Sequence, residues 1–594
     1  MRTGRRTRRG VSAGLAVLGM LATAVVAGAP AGEAQPDDSF TLTVLHNNDG
    51  ESQLINAGSE LEDFGGVARF ATVLNEARAQ AQQGRGAGGI FVSSGDNFLA
   101  GPEFTAGLEK GVPFFDTIAL DALDYDAISF GNHDFDFGPD VLADFLSGYT
   151  KMPPYLGANV DFSGEPSLQA FVDAGDVAAS TVVKVKGEEV GIVGALTPAL
   201  PAISSPGDVI VDPDVAGAIQ AEVDALGAAG VDNVVLISHL QSVQEDLALA
   251  PMLDDVDVMV AGGGDEVLAN PGDLLVPGDV AVGSYPLVAT DSDGTQVPVV
   301  TTAGNYKYLG RLAVDFDGEG NVIGWEGGPI RVAGGDNPDA VKPSGKLQAR
   351  VVRPVSDFVT ALDEQVIGTS EVALDGTRVN IRTTETNEGN LIADALLSQA
   401  TELAPGEGQP VPDVALQNGG GIRNDDVRGP GPITLLDTFD MVPFSNFVSV
   451  VPDIPREQFK EMLENAVSRV ELVDGRFAQV AGFSFTWDAN GTPQELDADG
   501  NVLTPGTRVV EATLDDGTPI VDNGAVVPGD DLTIATIDFL ARGMDGYPFR
   551  GAPFTNLAVS YQQALVNYIT DGLGGLITAA DYPEGGEGRI TRLN

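Results

Sequence analysis

The chain has 594 residues and a formal net charge of −54 at pH 7, because 86 acidic side chains face only 32 Lys and Arg. Such a charge excludes polymeric nucleic acid as a partner, since that affinity depends on basic side chains meeting phosphates. It does not exclude a small phosphoester held in a local pocket. Cysteine is absent, so the fold has no disulfide bonds, and any metal must be bound through oxygen and nitrogen.

The N-terminus has the pattern of a secretory signal peptide. Five arginines among the first nine residues precede an apolar stretch at about 11–27 and a run of small residues that reaches Ala34. We therefore expect residues 1–34 to be a signal peptide and the mature protein to be secreted, extracellular or cell-wall associated. The paired arginines leave Sec and twin-arginine export both open. No later segment is long and apolar enough to span a bilayer, so we expect no transmembrane anchor.

Strand-like and helix-like segments alternate between residues 38 and 336, which we expect to form the first domain. The predicted strands cover 40–45, 89–92, 127–130, 182–186, 190–193, 233–237 and 256–260, and the predicted helices cover 66–79, 139–147 and 213–226. This alternation is typical of an α/β fold with a buried sheet. The loops after strand ends are where such folds place functional residues.

Five polar blocks follow predicted strands of this domain and carry candidate metal ligands. They are Asp49-Gly50-Glu51, Gly95-Asp96, Asn132-His133-Asp134, His239 and Gly262-Gly263-Gly264-Asp265-Glu266. Two of the chain's three histidines lie in these blocks, and imidazole suits metal binding and proton transfer near neutral pH. The third, His46, ends the first strand, where a structural and a functional role fit equally well. Any one block would occur by chance, whereas five in this order at strand ends are specific.

Residues 337–365 are predicted to be a linker helix. Apolar side chains recur there at helical spacing, as at Val351, Val355 and Phe358. Pro354 predicts a kink or a restart of this helix, because proline removes a helical N–H.

Residues 366–594 are predicted to form a second α/β domain with four polar blocks of its own. These blocks centre on Arg382, on the glycine-rich loop from Asn418 to Arg423, on Phe444, and on Phe539 with Asp545. Arginine binds phosphate through a planar fork, glycine lets the backbone approach a ligand, and two aromatic rings can stack on a flat base. Each block also has a structural interpretation, with the phenylalanines as core and the glycines as a tight turn.

Together the metal blocks resemble the calcineurin-like metallophosphoesterases. With the second domain, the chain is similar to the exported 5′-nucleotidase / UDP-sugar hydrolase / 2′,3′-cyclic phosphodiesterase family. The resemblance implies a layered α/β fold: a four-layer αββα metallophosphatase domain, a linker helix and a second α/β domain that binds substrate. It also implies two divalent ions bridged by Asp96. One ion would also bind Asp49 and Glu51, and the other would also bind Asn132 and His239.

The resemblance assigns the remaining site residues as well. His133 would be a catalytic residue that meets the phosphate rather than a metal ligand, and Asp136 would orient its ring. In the second domain Arg382 and Arg423 would bind phosphate, Asn418 would contact the base, Phe444 and Phe539 would stack on it, and Asp545 would bind the ribose hydroxyls. Domain closure about the linker would bring the two sets of residues together.

The chain departs from the family pattern at three positions. Glu51 and Asp265 occupy places where the family has histidine, and Gly263 stands where it has another histidine ligand. Asp265 is kept as a candidate metal ligand, and water or Glu266 would fill the place of Gly263. The added carboxylates favour Mn²⁺, Mg²⁺ or Ca²⁺ over Zn²⁺. A decayed site is the alternative, but decay more often leaves Ala, Ser or Asn than new carboxylates.

The resulting hypothesis is a secreted, metal-dependent phosphohydrolase, most simply a 5′-nucleotidase acting on nucleoside monophosphates. A broader phosphomonoesterase or a 2′,3′-cyclic-nucleotide phosphodiesterase that scavenges phosphate is an alternative. A non-catalytic nucleotide-binding surface protein is a third. The partner in each case is a nucleotide or another small phosphoester. The sequence does not indicate an oligomeric state.

Overall fold

The computed structural model describes residues 39–594 with gaps at 59–60, 85 and 498–500. The signal peptide expected over residues 1–34 lies outside the described residues. Within the described part of the chain, none of the helices has the length and apolar character needed to cross a membrane.

A seven-stranded sheet forms one half of the N-terminal core. In spatial order its strands are Val322–Arg331, Tyr308–Phe316, Phe40–Asn47, Ala87–Ser93, Ala127–Ser129, Tyr155–Leu156 and Val177–Ala178. The strands 40–47 and 87–93 are parallel, with His46 opposite Val92. The loops that follow these two strands therefore leave the sheet at the same edge.

A six-stranded sheet packs face to face on the first. In spatial order its strands are Leu287–Thr290, Gln296–Val300, Val258–Gly262, Asn233–His239, Glu188–Leu196 and Ser180–Val185. Val44 and Val92 of the first sheet share a buried cluster with Ile192, Val235 and Val260 of the second. β-branched side chains of this kind favour strands and pack well on a pleated surface, so one apolar layer joins the two sheets.

Helices cover the outer faces of both sheets. Val67–Ala81, Pro102–Lys110, Phe115–Leu123 and Gly138–Ser147 pack on the first sheet, and Val215–Ala228 and Val243–Leu249 pack on the second. This is the four-layer αββα architecture that the sequence resemblance implies, and it is confirmed. The helices predicted at 66–79, 139–147 and 213–226 are all present, with ends that differ by at most two residues.

The segment predicted as a linker helix is helical in three parts. Gly345–Leu347 is α-helical, Gln348–Val352 forms a π-helical turn, and Arg353–Glu364 is α-helical again. The π-helical turn ends two positions before Pro354, which has no N–H to continue the α-helical hydrogen bonds. Leu347, Val351 and Val355 are buried in the N-terminal core, so this helix packs on the first domain.

The C-terminal domain is a mixed α/β unit with one continuous core. One five-stranded sheet contains Ala478–Ala481, Val414–Asn418, Leu532–Ile537, Phe447–Ile454 and Thr555–Ser560; another contains Ala525–Val526, Pro519–Asp522, Val509–Leu514, Phe483–Asp488 and Ile590–Leu593; a three-stranded sheet contains Gly431–Thr434, Val366–Ser370 and Leu576–Ile577. Its main helices are Asn387–Leu403, Leu435–Met441, Arg456–Ala466, Asp538–Ala541 and Tyr561–Asn567. Leu391 and Leu396 of the first of these helices share the core with Trp487.

Candidate active site

The loops after two parallel strands bring Asp49, Glu51 and Asp96 together. The backbone N–H of Asp49 donates to the Gly95 carbonyl at 3.0 Å, and that of Glu51 donates to the Asp96 carbonyl at 3.0 Å. The three acidic residues have left-handed backbone, with φ of 49°, 49° and 50°. Non-glycine residues adopt this conformation mainly where the surroundings enforce it, often at functional sites. The two loops thus hold each other in a conformation that the residues would not adopt alone.

Asp96 belongs to two clusters of side chains able to bind metal. One cluster also contains Asp49 and His239, and the other also contains Glu51 and His133; within each, the ligand atoms lie within 4.8 Å of one another. Asp96 Oδ2 is 3.0 Å from His239 Nε2. A carboxylate shared by two clusters is placed to bridge two ions. The grouping differs from the sequence expectation, because Asp49 lies with His239 and Glu51 lies with His133.

Asn132 lies beside His239, which is a member of the first cluster. Asn132 Oδ1 is 3.1 Å from His239 Nε2, and His239 Nδ1 is 2.6 Å from the Ser94 carbonyl. Because a carbonyl only accepts, Nδ1 carries a proton and Nε2 is the nitrogen available to a metal. Gln241 Nε2 donates to Asn132 Oδ1 at 2.6 Å, a contact that the sequence did not predict.

The protein groups around Asp49 and Glu51 supply too little positive charge to offset the burial of these two carboxylates. Burial, with repulsion from Asp96, raises the pKa of Asp49 to about 7, and burial, with repulsion from Asp49, raises the pKa of Glu51 to about 8. Burial lowers the pKa of His239, but attraction to Asp96 and Asp49 outweighs this and raises it to about 9. Buried charges are stable only when paired. Carboxylates, one amide oxygen and imidazole nitrogen therefore form a donor set that fits divalent cations.

The last predicted block contributes a backbone group. The N–H of Gly263 donates to Asp49 Oδ2 at 3.1 Å. At a φ of 89°, a Cβ on Gly263 would lie 2.7 Å from the backbone nitrogen of Gln241, so this conformation requires glycine. Asp265 is exposed and belongs to neither ligand cluster among the described residues. Its charge nevertheless contributes to the raised pKa of Glu51.

His133 is held beside the metal clusters by two carboxylates. Its backbone N–H donates to Asp96 Oδ1 at 2.7 Å, and its Nδ1 lies 2.7 Å from Asp136 Oδ2. The other oxygen of Asp136 accepts a hydrogen bond from Ser204 Oγ at 2.8 Å. Burial lowers the pKa of His133, but Asp136 and Asp96 outweigh this and raise it well above its usual value. The two carboxylates thus favour the protonated form of the ring, which is the form suited to meet an anion.

Asp134 and His46 have structural roles. The carboxylate of Asp134 accepts the N–H groups of Gly131 at 2.9 Å and Asn97 at 3.0 Å, which fixes the loop around it. His46 is fully buried, with Nε2 at 2.7 Å from the Tyr285 hydroxyl, and burial lowers its pKa to about 3. Of the two roles that the sequence left open for His46, the structure supports the structural one.

A cavity of about 360 Å³ lies between His133 and the C-terminal domain. It is lined by His133, Asp136, Ile203, Arg382, Asn418, Gly420, Gly421, Arg423, Phe444, Ser445, Asn446, Gly475, Phe539 and Asp545. All six residues predicted to bind substrate line this cavity, and so do both predicted catalytic residues. Side chains from the two domains thus meet at one cavity.

Comparison with known proteins agrees with this site. Residues 366–551 match the family model described as 5′-nucleotidase, C-terminal domain. The 5′-nucleotidase of Mus musculus is 32% identical over 481 residues, which cover 79% of this chain and 79% of the mouse protein. The trifunctional nucleotide phosphoesterase YfkN of Bacillus subtilis is 31% identical over 540 residues, which cover 86% of this chain and 32% of YfkN. The solved 5′-nucleotidase precursor of Thermus thermophilus is 32% identical, with a TM-score of 0.65 and coverage of 93% and 100% of the two chains.

The chain belongs to the 5′-nucleotidase family. It is therefore a hydrolase, a metal-dependent phosphoesterase, and the resemblance recognised in its motifs is confirmed. Enzymes of this family use a dinuclear divalent metal site, and the two clusters that share Asp96 are able to hold metal.

Two arginines of this 5′-nucleotidase family member face the cavity. Arg382 is buried, and its Nε has no hydrogen-bond partner among the described residues. Burial and the nearby charges of Arg378 and Arg423 lower the pKa of Arg382. Arg423 itself lies over the ring of Phe444, 5.5 Å from its centroid. A phosphate would supply the acceptor that the Arg382 Nε lacks.

Asn418 and Asp545 form a fixed polar pair in the same cavity. Asn418 Nδ2 donates to Asp545 Oδ2 at 2.6 Å, and Gln417 Nε2 donates to Asn418 Oδ1 at 2.9 Å. The backbone carbonyl of Asp545 accepts a hydrogen bond from Asn465 Nδ2 at 2.9 Å. Both side chains are therefore oriented before a ligand binds.

Phe444 and Phe539 are half-buried: each packs against the C-terminal core and also lines the cavity. Tyr561, which the sequence did not single out, positions the first of them. Its hydroxyl accepts the N–H of Phe444 at 2.9 Å and donates to the Gly421 carbonyl at 3.2 Å. These partners are 117 and 140 positions away, so no local motif could have marked Tyr561.

Proposed function

We propose that the protein is a secreted 5′-nucleotidase that hydrolyses nucleoside monophosphates to nucleoside and phosphate. The observation that carries this proposal is the shared cavity, where His133 and Asp136 lie opposite groups suited to a base, a ribose and a phosphate. The relatives from mouse and T. thermophilus are themselves named 5′-nucleotidases, in agreement with it.

Two divalent cations would be held by the carboxylate, amide and imidazole groups around Asp96. One would be bound by Asp49, Glu51 and Asp96, and the other by Asp96, Asn132 and His239. When bound, two such ions polarise a phosphoryl oxygen and lower the pKa of a coordinated water. Hard oxygen ligands favour Mn²⁺, Mg²⁺ or Ca²⁺ over Zn²⁺. Asp265 is a weaker candidate for a metal ligand. In the present position of its loop, it would act on the centre only through its charge.

In this proposal His133 acts on the phosphate directly. Because Asp136 engages Nδ1, Nε2 is the atom that would contact a phosphoryl oxygen and protonate the leaving 5′ oxygen. Asp136 would keep the ring oriented and balance its charge. A positioned acid of this kind typically contributes about 10²–10⁴ in rate.

The C-terminal residues would bind the rest of the nucleotide. Arg382 and Arg423 would bind the phosphate, Asn418 would contact the base, and Asp545 would accept hydrogen bonds from the ribose hydroxyls. Phe444 and Phe539 would stack on the base, which contributes about 1–3 kcal/mol per ring.

A substrate panel tests the proposal. Phosphate release is measured from AMP, a 2′,3′-cyclic nucleotide and p-nitrophenyl phosphate, and we expect the highest kcat/KM for AMP. A higher value for either other substrate would favour the broader phosphoesterase. Binding of AMP without release of phosphate from any substrate would favour a non-catalytic nucleotide-binding protein.

We also propose that residues 1–34 are removed on export and that the domains comprise 38–336 and 366–594, joined by the linker 337–365. The composition of the N-terminus supports the first part. Mass spectrometry of protein recovered from the culture medium should give an N-terminus close to Ala34. An uncleaved protein that stays with the membrane fraction would contradict it.

A further inference from the structure

Two adjacent serines at the end of the short helix Leu200–Ile203 contact opposite sides of the boundary between the domains. Ser204 is buried, and its hydroxyl donates to Asp136 Oδ1 at 2.8 Å. Ser205 Oγ accepts a hydrogen bond from Arg542 Nη2 of the C-terminal domain at 3.1 Å. Ile203, the residue before them, lines the cavity. One short segment, residues 203–205, thus contacts the catalytic pair, the cavity and the opposite domain.

The segment 203–205 and its partner Arg542 are each held close to predicted site residues. On one side, the N–H of Thr197, just before the helix, donates to the carbonyl of His239 at 2.8 Å. On the other side, Arg542 pairs with Asp538 Oδ2 at 3.0 Å. Asp538 begins the short helix that carries Phe539, and its Oδ1 accepts the N–H of Phe447 at 2.9 Å.

Arg542 also interacts electrostatically with carboxylates at this boundary. Burial raises the pKa of Asp538, the charge of Asp136 adds to this, and Arg542 opposes it. Two carboxylates, one from each domain, therefore repel each other across the boundary. The guanidinium of Arg542, which pairs with Asp538, reduces this repulsion where the two domains meet.

We propose that Ser204 is a positioning residue for the His133–Asp136 pair and that the Ser205–Arg542 hydrogen bond latches the substrate-binding domain onto the same segment. The inference rests on the proposed function, since it concerns the residues that act on the nucleotide. The segment 203–205 then couples the docking of the helix Asp538–Ala541, which carries Phe539, to the orientation of the His133 ring. With Ser204 bound, both oxygens of Asp136 are engaged, and the carboxylate holds a single orientation against His133.

Neighbouring substitutions separate the two halves of this proposal. Ser204→Ala removes the hydrogen bond to Asp136, so kcat should fall about tenfold or more for both AMP and p-nitrophenyl phosphate, with KM little changed, as is typical when a supporting hydrogen bond of a site is lost. Ser204→Thr keeps a hydroxyl and should restore most of kcat. Unchanged kcat in Ser204→Ala, or an equal loss in Ser204→Thr, would overturn the positioning role.

Ser205→Ala should act on the latch alone. Losing one hydrogen bond to a charged group should lower kcat/KM for AMP by about threefold to tenfold and leave p-nitrophenyl phosphate unaffected, because a small substrate does not need the docked base pocket. Equal effects on both substrates, or none on either, would overturn the latch. Wild-type protein is the reference throughout: failure to hydrolyse AMP would refute the proposed function, while the ratios between variants refute or support this inference.

A distance measurement tests the latch without activity. Since the chain lacks cysteine, Glu188→Cys and Asp516→Cys, both at exposed positions, allow one spin label on each domain. Ser205→Ala should broaden the distribution of distances between the labels relative to the same labelled pair with Ser205. An identical distribution would overturn the latch.

Discussion

Asp96 and His133 are 37 positions apart and joined by a hydrogen bond, yet they should fail in different ways when removed. Asp96→Ala deletes the carboxylate that both ligand clusters share, so we expect loss of bound metal together with loss of activity. His133→Ala leaves all the proposed metal ligands in place, so metal content should persist while kcat falls by about 10²–10⁴. Steady-state kinetics and elemental analysis of the two purified variants measure both effects. Full metal content with near-normal kcat/KM in His133→Ala would show that its assigned role is wrong.

Phe444 and Phe539 should affect only substrates that carry a base. Replacing either with Ala should raise KM for AMP by about 5–150-fold, which corresponds to about 1–3 kcal/mol of stacking, and spare p-nitrophenyl phosphate. Kinetics with both substrates check this. Because each ring also packs against the core, a parallel loss with both substrates would indicate a purely structural role.

Single residues also show where sequence reasoning stops. The residues at strand ends, such as Asp49 and Asp96, could be predicted because parallel strands end at one edge of a sheet. Ser204 and Gln241 could not, since their partners Asp136 and Asn132 lie 68 and 109 positions away. Contacts between residues so distant depend on packing and leave no local pattern.

Among the elements, the helix Asn387–Leu403 buries an ionisable side chain that the sequence alone gives no reason to bury. Glu388 in its first turn is fully buried, and Asn424 Nδ2 donates to one of its oxygens at 3.1 Å. Burial raises its pKa from 4.5 to about 8. Between these values the folded state holds a proton that the unfolded state releases, so the free energy of unfolding falls as pH rises, by up to about 1.4 kcal/mol per pH unit.

Glu388→Gln should remove this pH dependence, because the amide is neutral at every pH. We expect the variant to unfold at higher denaturant concentration than the wild type near pH 8 and to differ little near pH 5. Denaturant titrations at several pH values measure this difference. Glu402→Gln, an exposed position on the same helix, is the matched control and should change nothing. A Gln variant with the same pH dependence as the wild type would contradict a protonated Glu388.

Element boundaries followed the sequence closely where the apolar pattern was strong. The three helices predicted in the N-terminal domain begin and end within two residues of their predicted bounds, since apolar residues three or four positions apart define a helix face. The π-helical turn Gln348–Val352 was foreseen only as a kink at Pro354. The turn also depends on how Val351 and Val355 pack into the N-terminal core. That packing is a tertiary contact and cannot be predicted from the local sequence.

For the whole molecule, bound metal should contribute to both activity and stability. Exhaustive chelation should abolish phosphate release and lower Tm, because a ligand that binds only the folded state stabilises it. Mn²⁺, Mg²⁺ or Ca²⁺ should restore both, and Zn²⁺ should restore less. Calorimetry and activity on the same samples check this. Full activity after chelation, or a best rate with Zn²⁺ alone, would contradict the assignment of carboxylate-rich ligands.

At the scale of the whole protein, the central proposal is that the metal centre and the nucleoside pocket bind the same substrate molecule. The phosphate of that substrate would be at the 5′ position of the nucleoside. The most direct measurement is phosphate release from 5′-AMP and 3′-AMP by the metal-reconstituted protein at matched concentrations. We predict a much higher kcat/KM for 5′-AMP and no release from either after chelation. No release from 5′-AMP, or equal rates for the two isomers, would contradict the account.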